Sequence, residues 1–319
     1  MRAIVTGILG QDGRLLAQQL GSVGYEIIGT AKHVDKNETA CIDPFGCDEI
    51  IAEDLSITSV ANSVFDHYKP DRIFHMAGIH ASATSMSEFG EVAYNEMYGC
   101  HVEITKNILE WQSRNQQTKS VIALSSQMYT PASDVTVISE GSIPNPSSKY
   151  GITKLAAFDL IKRYRVENQC KAAGAILFNH TSIFSKEQFL FPLLAHQLVE
   201  VIAAKRQEIQ LLNADASIDM SSAEEVCAGI ISMTDIELME DIVFSSGSLT
   251  TVRSVIEEVL TRLSINAPIS ITSTREHAKT ESVLLGNPAR AREVLGWKPE
   301  KTPADILFEM VNNFREESM

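Results

Sequence analysis

The chain has 319 residues, 44% of them apolar, and a formal charge of −14 at neutral pH. That length holds one large α/β domain with a smaller lobe, and the acidic balance excludes a nucleic-acid partner, which requires basic stripes. No apolar run approaches the roughly 20 residues of a membrane helix, and the five cysteines (Cys41, Cys47, Cys100, Cys170, Cys227) form no zinc-like cluster, so reduced thiols in a cytoplasmic protein without a metal are expected.

The sequence opens directly on a strand and a turn, with no signal or transit peptide expected. Residues 2–6 read as a buried strand, 11–23 as a helix ended by Gly24, and 25–31 as a second strand. The polar stretch 33–47 reads as loop. Further strands are expected at 71–76, 120–124 and 172–177, with helices at 57–68, 91–116 and 147–169 between them. Strands alternating with helices predict an α/β fold, a doubly wound parallel sheet of Rossmann type over residues 1–180. Beyond residue 180 the alternation weakens. Helices at 189–205, 222–233 and 251–264 and a strand at 208–212 suggest a smaller mixed α/β lobe over 181–319, interleaved with the core and carrying the substrate site.

Two motifs carry the chemistry. In Gly7-x-x-Gly10-x-x-Gly13, between the first strand and helix, the glycines permit a tight turn and close approach of a dinucleotide pyrophosphate. About 20 residues later, where an acidic residue would hold the 2′-hydroxyl of NAD, the chain has Thr30-Ala31-Lys32-His33. Lys32 there suits the 2′-phosphate of NADP, with NAD as the alternative and a merely solvated lysine as the ordinary explanation. Asp54, in Glu53-Asp54-Leu55, is placed to accept from the adenine amino group. The second motif is Tyr150-x-x-x-Lys154, which puts a phenol and an ammonium on one helical face. The ammonium, with a nicotinamide's positive charge, is expected to lower the tyrosine pKa and make it a general base for a sugar hydroxyl. Ser125 or Ser126, ending the preceding strand, would bind the same oxygen. The histidines show no metal spacing, and Met97, Cys100, Ile104 and Ile108 read as a core stripe of the 91–116 helix.

With these residues in view, the chain resembles the extended short-chain dehydrogenases/reductases, and most specifically GDP-mannose 4,6-dehydratases. The carrying segments are 6–13 (Thr-Gly-Ile-Leu-Gly-Gln-Asp-Gly), 24–29, 53–55, 146–154 (Pro-Ser-Ser-Lys-Tyr-Gly-Ile-Thr-Lys), 176–180 (Ile-Leu-Phe-Asn-His) and 286–299. The resemblance implies a cofactor site at Gly7, Gly10, Gln11, Asp12, Gly13, Lys32, Asp54, Leu55, Tyr150 and Lys154. It implies a catalytic set of Ser125, Gln127, Tyr150 and Lys154, and substrate contacts from Ser85, Ser126 and Asn179. It further implies an internal redox cycle. Tyrosine deprotonates the C4 hydroxyl as hydride leaves for NADP, a glutamate takes the C5 proton, the C6 hydroxyl is eliminated and the hydride returns to C6. A homodimer through the 91–116 and 147–169 helices is also implied.

Two departures matter. Where the family has Thr-Ser-Glu-Leu-Tyr, this chain has Ser125-Ser126-Gln127-Met128-Tyr129, and an amide is no base near neutral pH. The paired arginines expected after Asn179-His180 are replaced by Thr181-Ser182-Ile183-Phe184-Ser185, and a Lys-Arg-Asp-Trp stretch by Ser217-Ile218-Asp219-Met220. The expected function is thus NADP-dependent hydride transfer at C4 of a nucleotide-activated hexose, dehydratase-like. The alternatives are a 4-keto reductase or C4 epimerase, a dehydrogenase of a non-nucleotide substrate, and a non-catalytic cofactor binder.

Overall fold

A computed structural model describes residues 1–34, 46–79, 91–265, 267–274 and 282–317. Strands β1 (Arg2–Thr6), β2 (Glu26–Ala31), β3 (Glu49–Ala52), β4 (Arg72–His75), β5 (Lys119–Ser125), β7 (Lys171–Leu177) and β12 (Ile242–Phe244) form one sheet in the order β12-β7-β5-β4-β1-β2-β3. Every pairing in it is parallel. β6 (Val135–Ile138) stands outside this sheet and pairs with a later strand. Strand order reverses between β1 and β4, so the crevice for a ligand opens at the carboxyl ends of these two strands.

The sheet is covered on both faces because its strands alternate two apolar surfaces. Ala3 and Val5, with Ala173, Ala175, Ile242 and Phe244, face helices α1 (Gln11–Ser22) and α7 (Ala223–Ser232). On the other face, Ile4, Ile28 and Ile73 pack with Phe65 of α2 (Thr58–Tyr68) and Trp111 of α4 (Ile104–Arg114). Next to them Ile122, Leu124 and Ile176 pack with Phe158 and Ile161 of α5 (Lys149–Asn168).

The region beyond residue 180 divides its loyalties. β12 is an edge strand of the large sheet and α7 lies against α1, so both belong physically to the half built on the parallel sheet. α6 (Leu190–Ile202), α8 (Val252–Arg262) and α10 (Pro303–Glu317) build a separate apolar cluster with β9 (Glu208–Leu211), which pairs with β14 (Ser270–Ser273). β8 (Asn179–Thr181) pairs with β11 (Met220–Ser222), β10 (Ser217–Ile218) with β13 (Thr250–Thr251), and β15 (Val283–Gly286) with β6. Buried Asp219 ties these pieces together, accepting from Ser245 Oγ at 2.5 Å, Ser246 N at 2.8 Å and Gly286 N at 2.9 Å.

The helix expected over 91–116 is three pieces: α3 (Glu91–Tyr98), a π-turn over Gly99–Glu103, and α4. The extra residue of a π-turn rotates the two helical faces relative to one another. The stripe is interrupted only at its second member: Met97, Ile104 and Ile108 are buried, whereas Cys100 is partly exposed and lines the crevice with Ile104. The half-exposed edge strand β3 falls just past the stretch read as loop.

Trp297, after α9 (Ala289–Leu295), closes the end of the chain onto the core. Its ring meets Phe244 edge-on at 5.0 Å, and its Nε1 donates to the Glu225 carbonyl at 2.7 Å. Truncating a buried aromatic of this size costs about 3–5 kcal/mol. Trp297→Ala is therefore expected to lower unfolding free energy by about that amount in urea titrations. A loss of under about 1 kcal/mol would show that the indole is not a structural clasp.

Candidate active site

The turn after β1 is shaped by close backbone approach. Gly7 has φ +71°, and a Cβ there would sit 2.7 Å from the Ala77 Cα. A Cβ on Gly13 would sit 2.3 Å from the Gly7 carbonyl oxygen. Gly10 caps α1 without a side-chain partner, and the first helical bond runs from Arg14 N to Gly10 O. The N–H groups of Gln11, Asp12 and Gly13 thus have no acceptor within the helix, which is the donor set an anionic diphosphate requires.

A crevice of about 560 Å³ runs from this turn past Lys32, Asp54, Leu55 and Cys100. Lys32 Nζ pairs with Asp54 Oδ2 at 3.0 Å, and Asp54 Oδ1 accepts from Ser56 N and Oγ. Burial would raise the Asp54 pKa, but the Ser56 hydrogen bonds and Lys32 bring it below the ordinary carboxylate value. Leu55 is buried beneath them. The crevice offers a glycine cradle, open helix N–H groups and one cation at its rim, a donor set that fits a phosphorylated dinucleotide.

The candidate reacting groups come from the end of β5 and the start of α5. Ser148 Oγ accepts from Gly151 N at 3.0 Å and caps α5 two residues before Tyr150. Gly151 lets the helix press against the turn that follows β5: a Cβ there would lie 2.1 Å from the Gln127 carbonyl oxygen. Ser125 Oγ accepts from Gln127 N at 3.1 Å and is hydrogen-bonded to the Tyr150 side chain. Lys154, one turn along, is buried and donates to the Ala123 carbonyl at 2.8 Å, with its Nζ 5.8 Å from the Tyr150 ring centroid.

The electrostatics differ from the expectation of a phenol lowered by its neighbouring ammonium. Burial pushes Tyr150 up to about 12, opposed by the Ser125 hydrogen bond. Burial likewise pushes Lys154 down to about 8, against the pull of Cys100 and Asp12. Desolvation, which disfavours both charged forms, dominates when protein groups act alone.

Three histidines that spacing left as ordinary core or surface residues converge here. His101, on the π-turn, sets its ring edge against Tyr150 at 5.2 Å. Its Nε2 accepts from Ile79 N at 3.2 Å and its Nδ1 lies 2.8 Å from Thr153 Oγ1. Because Thr153 Oγ1 donates to the Tyr150 carbonyl at 2.9 Å, the imidazole must donate to it, which assigns the Nδ1–H tautomer. His75 is wedged between Thr6 Oγ1 at 2.7 Å and the Cys100 carbonyl at 3.2 Å; burial and Lys154 push it down to about 3. His180 faces Asp12 across the turn of α1. No local spacing gathers these rings, since each comes from a different element.

Of the remaining expected residues, Gln11 and Asp12 turn their side chains to the segment after β7, leaving backbone groups for a ligand. Ser126 and Gln127 are half-buried beside Ser125, and Asn179 is exposed on β8. Ser85 lies outside the described residues.

With this geometry in place, the sequence model of the GDP-mannose 4,6 dehydratase family matches residues 4–310. The chain belongs to that family. GDP-mannose 4,6 dehydratase 2 of Caenorhabditis elegans is 24% identical over 340 residues, covering 97% of this chain and 87% of that protein. Among solved structures, UDP-glucose 4-epimerase from Thermotoga maritima, with UDP-glucose, matches with a TM-score of 0.82 at 17% identity, over all of both chains. UDP-glucuronic acid 4-epimerase from Bacillus cereus, with UDP-glucuronic acid and NAD, gives 0.80 at 18% identity over all of both chains. The family member thus has the extended short-chain dehydrogenase/reductase fold.

Gly151→Ala tests the contact that assembles the site. Because the clash is with backbone, overpacking should cost about 1–3 kcal/mol in denaturant titrations. Stability within about 0.5 kcal/mol of the parent would show that the turn yields freely.

Proposed function

We propose that the protein transfers hydride between C4 of a nucleotide-activated hexose and NADP. The observation carrying this reading is the Ser125–Tyr150 hydrogen bond with the Lys154 ammonium beside the ring and close to Gly78, which lines the glycine-turn crevice. The glycine turn and the first N–H groups of α1 would hold the pyrophosphate, Asp54 and Leu55 the adenosine, and Tyr150 with Lys154 the nicotinamide ribose. A bound oxidised nicotinamide dinucleotide supplies the hydride acceptor and a positive ring charge that offsets the burial cost of the Tyr150 phenolate. Tyr150 then takes the C4 hydroxyl proton as that carbon becomes a ketone, and Ser125 donates to the same oxygen. Lys154 holds positive charge beside the phenolate.

NADP is preferred over NAD because the rim of the crevice presents Lys32 in the place of an acidic residue. Lys32 is more than half exposed even while paired with Asp54, so it can turn to a 2′-phosphate at little cost. Lys32→Ala is expected to weaken NADP binding about tenfold and leave NAD binding unchanged, measured by calorimetry. Equal effects on both would remove Lys32 from cofactor selection.

Gln127 decides between the two family chemistries. It stands where elimination needs a base, so we place the chain with 4-keto reductases or C4 epimerases ahead of full dehydratases. Incubation with GDP-mannose and NADP is expected to give no product lighter by one water, whereas Gln127→Glu should restore water loss detectable by mass spectrometry. Water loss by the parent protein would overturn this and make it a dehydratase. The nucleotide is read separately, from thermal stabilisation by GDP, UDP, CDP or dTDP. Saturation at 100-fold the dissociation constant is worth about 2.7 kcal/mol. Stabilisation by none of them would indicate a non-nucleotide substrate.

A homodimer through the 91–116 segment (α3, the π-turn and α4) and α5 belongs to the same proposal. It is supported by exposed Ile152 and Val166 on α5 and Tyr98 just before the π-turn. Light scattering reads it directly.

A further inference from the structure

The Gln11-Asp12 pair at the start of α1 does more than open a helix. Gln11 Oε1 accepts from Ser182 N at 2.9 Å, from Ser182 Oγ at 3.1 Å and from Ser185 Oγ. Gln11 Nε2 donates to Asp12 Oδ1 at 2.9 Å. Asp12 in turn faces His180, whose Nε2 lies 3.1 and 3.2 Å from the two carboxylate oxygens. The other ring nitrogen, Nδ1, lies 2.8 Å from the Phe178 carbonyl oxygen. The Phe178 carbonyl only accepts, so Nδ1 carries a proton, and Asp12, held ionised by its partners, only accepts as well, so Nε2 carries the second. His180 paired with an ionised Asp12 is therefore an imidazolium.

The charges around this pair come from every element packed against it. α1 contributes Asp12 and Arg14, α5 contributes Lys154 and the neutral Tyr150, and α7 contributes Glu224 and the buried thiol of Cys227. Burial alone would lower the His180 pKa, but Asp12, the Phe178 carbonyl and Glu224 raise it to about 9. Burial would raise Asp12, and His180 together with Gln11 and Lys154 lowers it instead.

We propose that His180 is a positioning residue, a fixed cation that cancels the Asp12 carboxylate beside Lys154 and Tyr150 and, with Gln11, locks the first turn of α1 to the 178–185 segment. The dinucleotide turn and the segment leading into the smaller lobe are then held in one register. The net charge at the reacting centre is left to Lys154 and Tyr150. This rests on the reading of Tyr150 and Lys154 as the reacting pair, but its test needs no substrate.

Nitrogen-15 NMR of histidine-labelled protein at pH 7.5 should show both ring nitrogens of His180 protonated, the resonances being those that vanish in His180→Gln. A neutral ring would overturn the proposal outright. The second readout is the titration of Lys154, followed with labelled lysine and assigned by its loss in Lys154→Met. In His180→Gln, which keeps a donor but removes the charge, the uncompensated Asp12 should hold the Lys154 proton about tenfold more tightly. Adding Asp12→Asn in that background should return the titration to its parent position. An unmoved Lys154 in His180→Gln, or one not restored in the double variant, would overturn the proposal. Should His180→Gln fail to fold, Asp12→Asn alone decides: His180 is expected to become neutral at pH 7.5, and a ring still doubly protonated would sink the pairing. Stability gives the sign independently. A group raised from 6.5 to about 9 contributes fully below pH 6.5 and loses its contribution as pH rises through 9. The melting-temperature advantage of the parent over His180→Gln should shrink across that window, and a constant difference would refute the linkage.

Discussion

Helix α5 can rest on the end of β5 only because residue 151 has no side chain, and the rest of the site is hung from that contact. The helix brings Tyr150 to Ser125 and Lys154 to the Ala123 carbonyl, while the turn it presses on carries Ser126 and Gln127. Ser148 fixes where the helix begins, through its bond to Gly151 N. Cap, glycine, phenol and ammonium are thus consecutive consequences of one seven-residue stretch. Its geometry is set by backbone packing before any chemistry is required of it.

Around this contact the protein buries a concentration of polar groups that would be ruinous if left unpaired. Three imidazoles among them are satisfied in ways that also fix a loop. His75 bridges Thr6 to the π-turn, and Thr6 Oγ1 accepts from Ala77 N, so the loop after β4 is tied to β1. His101 joins Ile79 to Thr153 and braces the Tyr150 ring. His180 and Gln11 tie α1 to the chain after β7. Three of the crevice walls are therefore braced by imidazoles in defined protonation states: His75 neutral through burial, His101 neutral by its tautomer, and His180 cationic by its two acceptors. The cost is visible in Tyr150 and Lys154, both displaced toward their neutral forms by the same dry surroundings.

The parallel sheet was legible in the sequence because its central strands are short apolar runs bounded by turns, and the glycine turn and Tyr-Lys helix because their mechanics require fixed local spacing. What was not legible depends on contacts across the chain. A π-turn in the 91–116 segment leaves the hydrophobic pattern nearly intact, since Met97, Ile104 and Ile108 are buried on either side of it; only the outcome at Cys100 and His101 reveals the shift. β12 is three residues long, and only its place beside β7 shows that it belongs to the large sheet. The roles of Gln11 and Asp12 were visible as a motif, but their partners lie about 170 positions away.

If position 127 is, as proposed, the place of an elimination base, the same contact explains how that base could be exchanged without loss of the scaffold. Residue 127 serves the site through its backbone: its N–H donates to Ser125 Oγ, and its carbonyl oxygen is the surface on which Gly151 rests. Neither role depends on whether the side chain ends in an amide or a carboxylate. A Glu-to-Gln exchange there removes a proton acceptor while leaving the Ser125, Tyr150 and Lys154 arrangement under the same constraints. On the proposed reading, hydride transfer and elimination are therefore separable: the first would depend on the packing of α5 on β5, and the second on one half-buried side-chain terminus that this packing does not constrain.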